Sequence, residues 1–560
     1  MKTQADESST GRAVRILIPI AVALVSALTF LPALDGQFVT WDDNVMLTGN
    51  TAFRGFGAEN IRWMFTSTLM GHYMPLTWLS FAASYALGGM DPRGFHLASL
   101  LLNAFNAALV TLLAWQLIDA ARARRITGAR LTLPALATGA MVAGLAFGVH
   151  PLHAEPVSWA TDRGDVLCGT FYLLTLICYC RGVDQDLGLH WRPWGVLALA
   201  AMAAAVLSKE IGTTLPAALV ILDAYPLQRS DSWPRRAREK LPFLALSLCG
   251  AVAAVTARAA GANFSTLEKY GLSERAALFA YSLWHYARSF AAPTGLAPYH
   301  EPPTRVTLLG PVFLAAAIGV IAITTIVVLL RRHWPGGIAA WGFYVVVLVP
   351  LGGLVHSGSH LVAERYAYLP TIGFALLLGG GASALASRWR TRRWAAASLA
   401  GMMVILATWA VVGWRHSSSW HDTLTMWQVS AAADPSCGLC ALNLAGAYFN
   451  AGRIAEAETW SRRAIELWPD RGSPHHRLGS ALLVQNRDAE AELELLEAIR
   501  LAPALAEAHR ELARVYARSG RTTEASGALS RALALGAPRG EIETMLRRLD
   551  RAAALSGGRP

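Results

Sequence analysis

The chain has 560 residues, 54% hydrophobic and only 16% charged, with a formal net charge of +11. A soluble domain carries about 25% charged residues, so this composition excludes an ordinary soluble protein and points to a polytopic membrane protein. The positive surplus lies before Asp434, because from there on 17 Lys/Arg face 16 Asp/Glu; it belongs to the apolar part, where loop charges that set topology explain it without a nucleic-acid partner.

A membrane helix needs about 20 mainly apolar residues. In chain order about eleven stretches qualify or nearly so: 14–34, 94–118, 133–149, 165–180, 194–207, 211–227, 241–258, 307–330, 338–355, 367–387 and 394–414. The first is too long for a signal-peptide core and lacks a small-x-small exit, so it reads as an uncleaved span. Stretches 74–88 and 276–292 are shorter or interrupted by polar groups and read as helices at the interface.

A cytoplasmic N-terminus puts 1–15, 119–132, 181–193, 228–240, 331–337 and 388–393 on the cytoplasmic side, with 20 Lys/Arg in 68 residues. The opposite side, up to residue 433, holds about 12 in roughly 155, which is the positive-inside pattern. An odd number of spans then places the C-terminal region outside the cytoplasm.

That region changes character. Ala464, Ala498 and Ala532 are 34 apart, as are Pro435, Pro469 and Pro503, Leu444, Leu478 and Leu512, and Ala457, Ala491 and Ala525; Gly452 and Gly520 are two such steps apart. This is the tetratricopeptide period, one helix pair per repeat. The expected organisation is a membrane domain over 1–415 with its first outside loop at 35–93, a lead-in helix at 416–436, about three repeats over 437–539, and a capping helix and tail at 540–560. Cys437 and Cys440 have no second ligand pair at zinc spacing, which leaves a disulfide or two thiols.

On this topology the unusual polar residues share one face. Asp42, Asp43, His72 and Tyr73 fall in the first outside loop. "HPLHAEPVSWATDRGD" supplies His150, His153, Glu155, Asp162, Arg163 and Asp165; "LSKEIG" supplies Lys209 and Glu210. Arg288, Tyr299 and His300 follow, then His356, His360, Glu364, Arg365 and Tyr366 in "HSGSHLVAERYAYLP". Charges at a membrane boundary are costly unless paired or solvated, so acids, histidines and cations gathered from five loops mark a candidate active site.

"FVTWDDN", "HPLHAEPVSWATDRGDVL", "LSKEIGTTLP" and "HLVAERYAYLP", in that order and followed by tetratricopeptide repeats, resemble the transmembrane and tetratricopeptide-repeat O-mannosyltransferases, and more broadly the C-fold glycosyltransferases. The resemblance implies an all-α membrane domain followed by a repeat solenoid, a polyprenyl-phosphate sugar as donor, and an acceptor hydroxyl attacking with inversion on the extracytoplasmic face. It also implies an acidic base in the first outside loop, by position Asp42 or Asp43. A hydroxyl nucleophile does need a base within hydrogen-bond reach; Asp42 is favoured, and the sequence alone does not separate the two.

The departing phosphate needs cations, and Arg163, Arg365 and Lys209 are the candidates, each with a nearby acid it could instead neutralise. His72, His150, His153, Glu155, Asp165, Glu210, Glu364 and Tyr366 complete the set as residues that position acceptor or sugar. His150, His153 and Glu155 are too loosely spaced to argue for a metal, and no cofactor is expected beyond the lipid-linked sugar. The repeats would present an acceptor protein or peptide. The Ala-, Arg- and Gly-rich composition suggests a bacterial inner membrane with periplasmic active-site loops. The competing reading is a membrane scaffold whose repeats recruit periplasmic partners without catalysis. A transporter would place charges near mid-span, and the interiors of these spans are almost free of them.

Overall fold

The computed structural model describes residues 9–123, 131–184, 188–189, 191–260, 270–303, 305–354, 360–388 and 392–556, with backbone alone for 10, 184, 192 and 548–556. His356 lies outside the described residues. Apart from one two-residue ladder, Val183–Asp184 with Gly188–Leu189, the regular structure is helical.

Each apolar stretch carries a helix. Among the described residues five helices are long and apolar enough to cross a membrane alone: Gly11–Thr29, Pro92–Ala123, Trp233–Ala260, Pro311–Leu329 and Arg393–Trp420. A sixth results if Leu133–Gly148 and Pro151–Ser158, bent by 51°, form one broken span. Counting apolar letters overstates span length because Gly, Pro and cap residues break the helix inside the stretch. The stretch 211–227 is an example: it begins as a 3-10 turn and leaves only the 10-residue helix Leu215–Ala224, about 15 Å of rise. Stretches 74–88 and 276–292 are the helices Pro75–Gly88 and Leu272–Ala291. The chain is a multi-pass helical membrane protein.

Its membrane part is held by small-residue contacts and buried polar links. A Cβ on Gly139 would sit 2.7 Å from the Gly379 carbonyl oxygen, and one on Gly379 would sit 2.5 Å from that of Gly139. The helices Leu133–Gly148 and Thr371–Ala386 therefore meet backbone to backbone, as small residues allow where both surroundings are apolar. Next to this seam, Asn106 donates to Val166 O at 2.8 Å and to Tyr368 Oη at 2.9 Å, and accepts from Thr170 at 2.7 Å. Tyr368 Oη donates to Asn103 at 2.9 Å. These bonds tie the start of the helix Thr371–Ala386, and with it Arg365, to the helices Pro92–Ala123 and Arg163–Gly182.

Two compact units divide the chain at Asp422 and Thr423, with Tyr299–Glu301 grouped in the second. The second unit begins with the helix Thr423–Ala433 and continues as three helix pairs: Gly438–Asn450 with Ile454–Leu467, Gly472–Val484 with Asp488–Leu501, and Ala506–Arg518 with Thr522–Ala534. The helix Arg539–Ser556 follows. Within each pair the turn holds a left-handed residue at the 34-residue step: Gly452, Asn486 and Gly520, with φ of 74°, 59° and 73°. Asn is the non-glycine residue that best tolerates this conformation, so the middle repeat keeps the geometry without the glycine. Cys437 and Cys440 are joined as a disulfide at the start of the first repeat helix.

Candidate active site

The site is built in the first unit from four segments. The first follows the N-terminal helix. Met46 and Val45 N–H groups donate to Asp42 O at 2.8 and 3.0 Å, which leads into a single wide π-helical turn over Asn44–Thr48 and leaves Asp42 and Asp43 at its head.

The two aspartates differ. Asp43 is wholly buried. Its Oδ2 accepts the Val39 N–H at 2.8 Å, and its Oδ1 accepts the Thr161 N–H at 3.1 Å together with the Thr161 hydroxyl. Burial pushes its carboxyl up to about 7, against the pull of those donors. Asp42 is partly exposed. Burial raises its carboxyl too, Arg365 opposes the rise, Asp162 adds to it, and His72 and Lys209 oppose it.

The second segment, Ala154 to Asp165, folds as two short turns before the helix Arg163–Gly182. The third is the break between the helix Val196–Ser208 and the turn Glu210–Thr214, where Lys209 has extended backbone. The fourth is the turn Glu364–Ala367. Together they form an ionic chain. Lys209 binds Asp165 and lies 3.6 Å from Asp162. Arg365 binds Glu155 through Nη1, has Nε 3.7 Å from Asp162, and donates its backbone N–H to Glu155 at 3.0 Å. Its guanidinium also lies over the rings of Trp159 at 5.4 Å and Tyr366 at 5.0 Å. Burial works to lower the pKa of both cations, but the surrounding acids outweigh it and hold both above their ordinary values.

Around this chain, Glu210 pairs with Arg258 at 2.6 Å and has His72 Nδ1 at 3.6 Å. Tyr366 Oη lies 2.9 Å from His360 Nε2. Glu364 pairs with His416 at 2.7 Å. Among the described residues no three His, Cys, Asp or Glu side chains stand where they would hold a metal ion.

Some residues chosen from the sequence stand elsewhere. Arg163 is fully buried and donates to Ser80 O and Phe95 O, both at 2.8 Å, and to Ser84 Oγ at 2.9 Å. It lies between the Phe81 and Phe95 rings, at 4.7 and 5.2 Å. This cation braces the segment between the first two long helices through Ser80, Ser84 and Phe95 and makes no contact with the ionic chain. The helix start at Arg163 puts it and Asp165 on different sides of the helix, so adjacency in sequence misleads here. His150 and His153 are fully buried among Phe147, Phe290, Tyr368 and Trp409. His150 Nδ1 accepts the Leu152 N–H at 3.2 Å, so its Nε2–H donates to Phe290 O at 3.1 Å, and His153 Nε2 lies 3.2 Å from Thr371 Oγ1. Arg288 donates to Thr294 O at 3.5 Å, and Tyr299 packs on Trp427 of the second unit. Arg258 and His416 join the polar set although nothing singled them out in the sequence. Each is a basic residue at the end of a long apolar helix, and that was the available signal.

The fold and this arrangement define a polytopic helical membrane protein with a partly exposed cluster of charged side chains, and a tetratricopeptide solenoid. No family model matches the chain. It is 26% identical over 486 residues to protein O-mannosyl-transferase TMTC4 of Mus musculus, covering 78% of this chain and 63% of that protein. It is 25% identical to human TMTC1, covering 82% of this chain and 56% of that protein. The chain thus spans less than two thirds of the length of these relatives. Over 169 residues it is 32% identical to tmtc2 of Xenopus laevis, 29% of this chain and 18% of that one. Among solved structures, ArnT from Cupriavidus metallidurans bound to undecaprenyl phosphate aligns over 89% of this chain and 81% of that chain, with a TM-score of 0.37 and 18% identity. The chain is therefore similar over most of its length to the TMTC protein O-mannosyl-transferases.

Proposed function

We propose that the chain is a membrane glycosyltransferase that moves a hexose, mannose by the names of its relatives, from a polyprenyl-phosphate donor to an acceptor hydroxyl of protein Ser or Thr. The observation that carries this reading is the division of labour between the paired aspartates. Asp43 is spent on holding the loop, while Asp42 is partly exposed in the field of Arg365 and Lys209.

The acceptor oxygen attacks the anomeric carbon, the bond from that carbon to the phosphate oxygen breaks with its electron pair on the phosphate, and Asp42 takes the hydroxyl proton. The raised affinity of Asp42 for a proton suits a base better than an ordinary carboxylate would. Charge grows on the departing phosphate, and in this reading Arg365 and Lys209 receive it. Arg365 has five N–H donors on its guanidinium, and Nη1 is given to Glu155. Glu155, Asp162 and Asp165 hold both cations in place. His72, Glu210 and Tyr366 border the chamber and would contact sugar or acceptor. The solenoid would present the acceptor, and the chamber would open on the extracytoplasmic face of a bacterial inner membrane, on the strength of the loop charges.

The test is transfer of labelled sugar from a polyprenyl-phosphate donor to a serine- and threonine-containing acceptor in membranes. Wild-type rates in Asp42→Asn would overturn the reading.

A further inference from the structure

The first unit contains a cavity of about 880 Å³ that the ionic chain does not reach, near the upper end of the range for ligand sites. Its walls come from the second half of the helix Pro92–Ala123, from Leu215–Ala224, and from Thr371–Ala386. On the last of these, Gly373, Leu377, Gly380 and Ala384 line it at helical spacing, and Arg388 lines it from just beyond the helix end. Arg388 is 23 positions beyond Arg365, about 30 Å along a mostly helical path.

Glycine makes the space. Gly379 is consumed in the backbone contact with Gly139, but a Cβ added to Gly380 or to Gly381 meets no atom within 4 Å. Two consecutive glycines inside a helix cost about 1 kcal/mol each relative to alanine, and here they leave this part of the lining without side chains. The lining is mostly aliphatic; its basic members are His333 and Arg388, and Tyr225, Trp334 and Ser383 add polar atoms. Aromatic rings next to cations mark the level of the headgroups. Arg331, Arg332, Arg392 and Arg393 flank His333 and Arg388 in sequence.

We propose that this cavity binds an anionic phospholipid, with one acyl chain along the glycine wall and the phosphate at Arg388 and His333. Apolar walls suit a chain, and a basic rim between helices on the arginine-rich side suits an anionic headgroup. Of Arg388 this asks only its charge. The site does not depend on the transfer reaction proposed above.

The experiment reconstitutes the full chain in nanodiscs of equal phosphatidylglycerol and phosphatidylcholine and counts retained lipid by native mass spectrometry. Wild type is expected to retain one phosphatidylglycerol at least tenfold over phosphatidylcholine. Gly380→Phe, which enters open space, is expected to retain neither. The double variant His333→Gln with Arg388→Gln is expected to retain lipid with less than twofold preference. A wild type without preference, a Gly380→Phe variant that retains lipid as wild type does at an unchanged melting temperature, or displacement by equimolar undecaprenyl phosphate would each overturn the proposal.

Discussion

The carboxylate of Asp43 accepts both the backbone N–H and the hydroxyl of Thr161, 118 positions further along the chain. This contact fixes the loop after the N-terminal helix on the segment that carries Asp162 and Asp165. It makes Asp43 a fastening and leaves Asp42 beside the cations.

The paired aspartates therefore part company on substitution. Asp42→Asn is expected to lower transfer by about 10²–10⁴-fold, the usual worth of a positioned base, with an unchanged melting temperature. Asp43→Asn leaves part of a buried hydrogen-bond set unmet and is expected to cost about 1–3 kcal/mol of stability. Parallel thermal melts and initial rates in detergent separate the two.

Asp43 also gives stability a pH dependence. Its folded pKa, about 7, lies above the ordinary 3.8, so the native state binds the proton more tightly than the unfolded chain. The stabilisation is complete below about pH 4 and is lost as pH rises through about 7. Melting temperature is expected to fall between pH 5 and 8 in wild type and to fall less in Asp43→Asn. Transfer should move the other way on the acid side, because Asp42 must be ionised to act.

Arg365 and Glu155 form a buried pair, so removing one partner strands the other. Arg365→Gln is expected to cost about 3–5 kcal/mol. Adding Glu155→Gln should recover most of the melting temperature and none of the transfer, and an assay of both quantities on the double variant checks this.

Arg163→Met tests the brace. It leaves Ser80 O and Phe95 O without their donor and is expected to lower stability without raising the KM for donor lipid. Lys209→Gln is expected to raise that KM or lower kcat. Donor titrations on the two variants distinguish them.

In the solenoid, Asn486→Gly is expected to be tolerated, whereas Asn486→Val forces a β-branched residue to positive φ and should cost about 1–2 kcal/mol. Unfolding of full-length protein followed at a probe in the second unit measures it.

The membrane class, the repeats and the residues of the ionic chain were legible in the sequence because they rest on local quantities: apolar run length, a 34-residue step, and polar letters at the ends of apolar runs. The helix ends were less legible, since run length ignores the turns Leu31–Asp35 and Glu210–Thr214 that fall within or beside the apolar runs.

Taken by itself, the sequence determined that this chain is a multi-pass helical protein with a tetratricopeptide tail and a set of charges beside its helices. Only the tertiary structure decided which charges meet. Whether Arg163 faces the chamber or the loop, and whether Asp42 or Asp43 is spent on a fastening, depends on partners such as Phe95 and Thr161 that lie 68 and 118 positions away. No local spacing encodes contacts of that range; they form when the helices pack and each buried charge must find a donor or an acceptor.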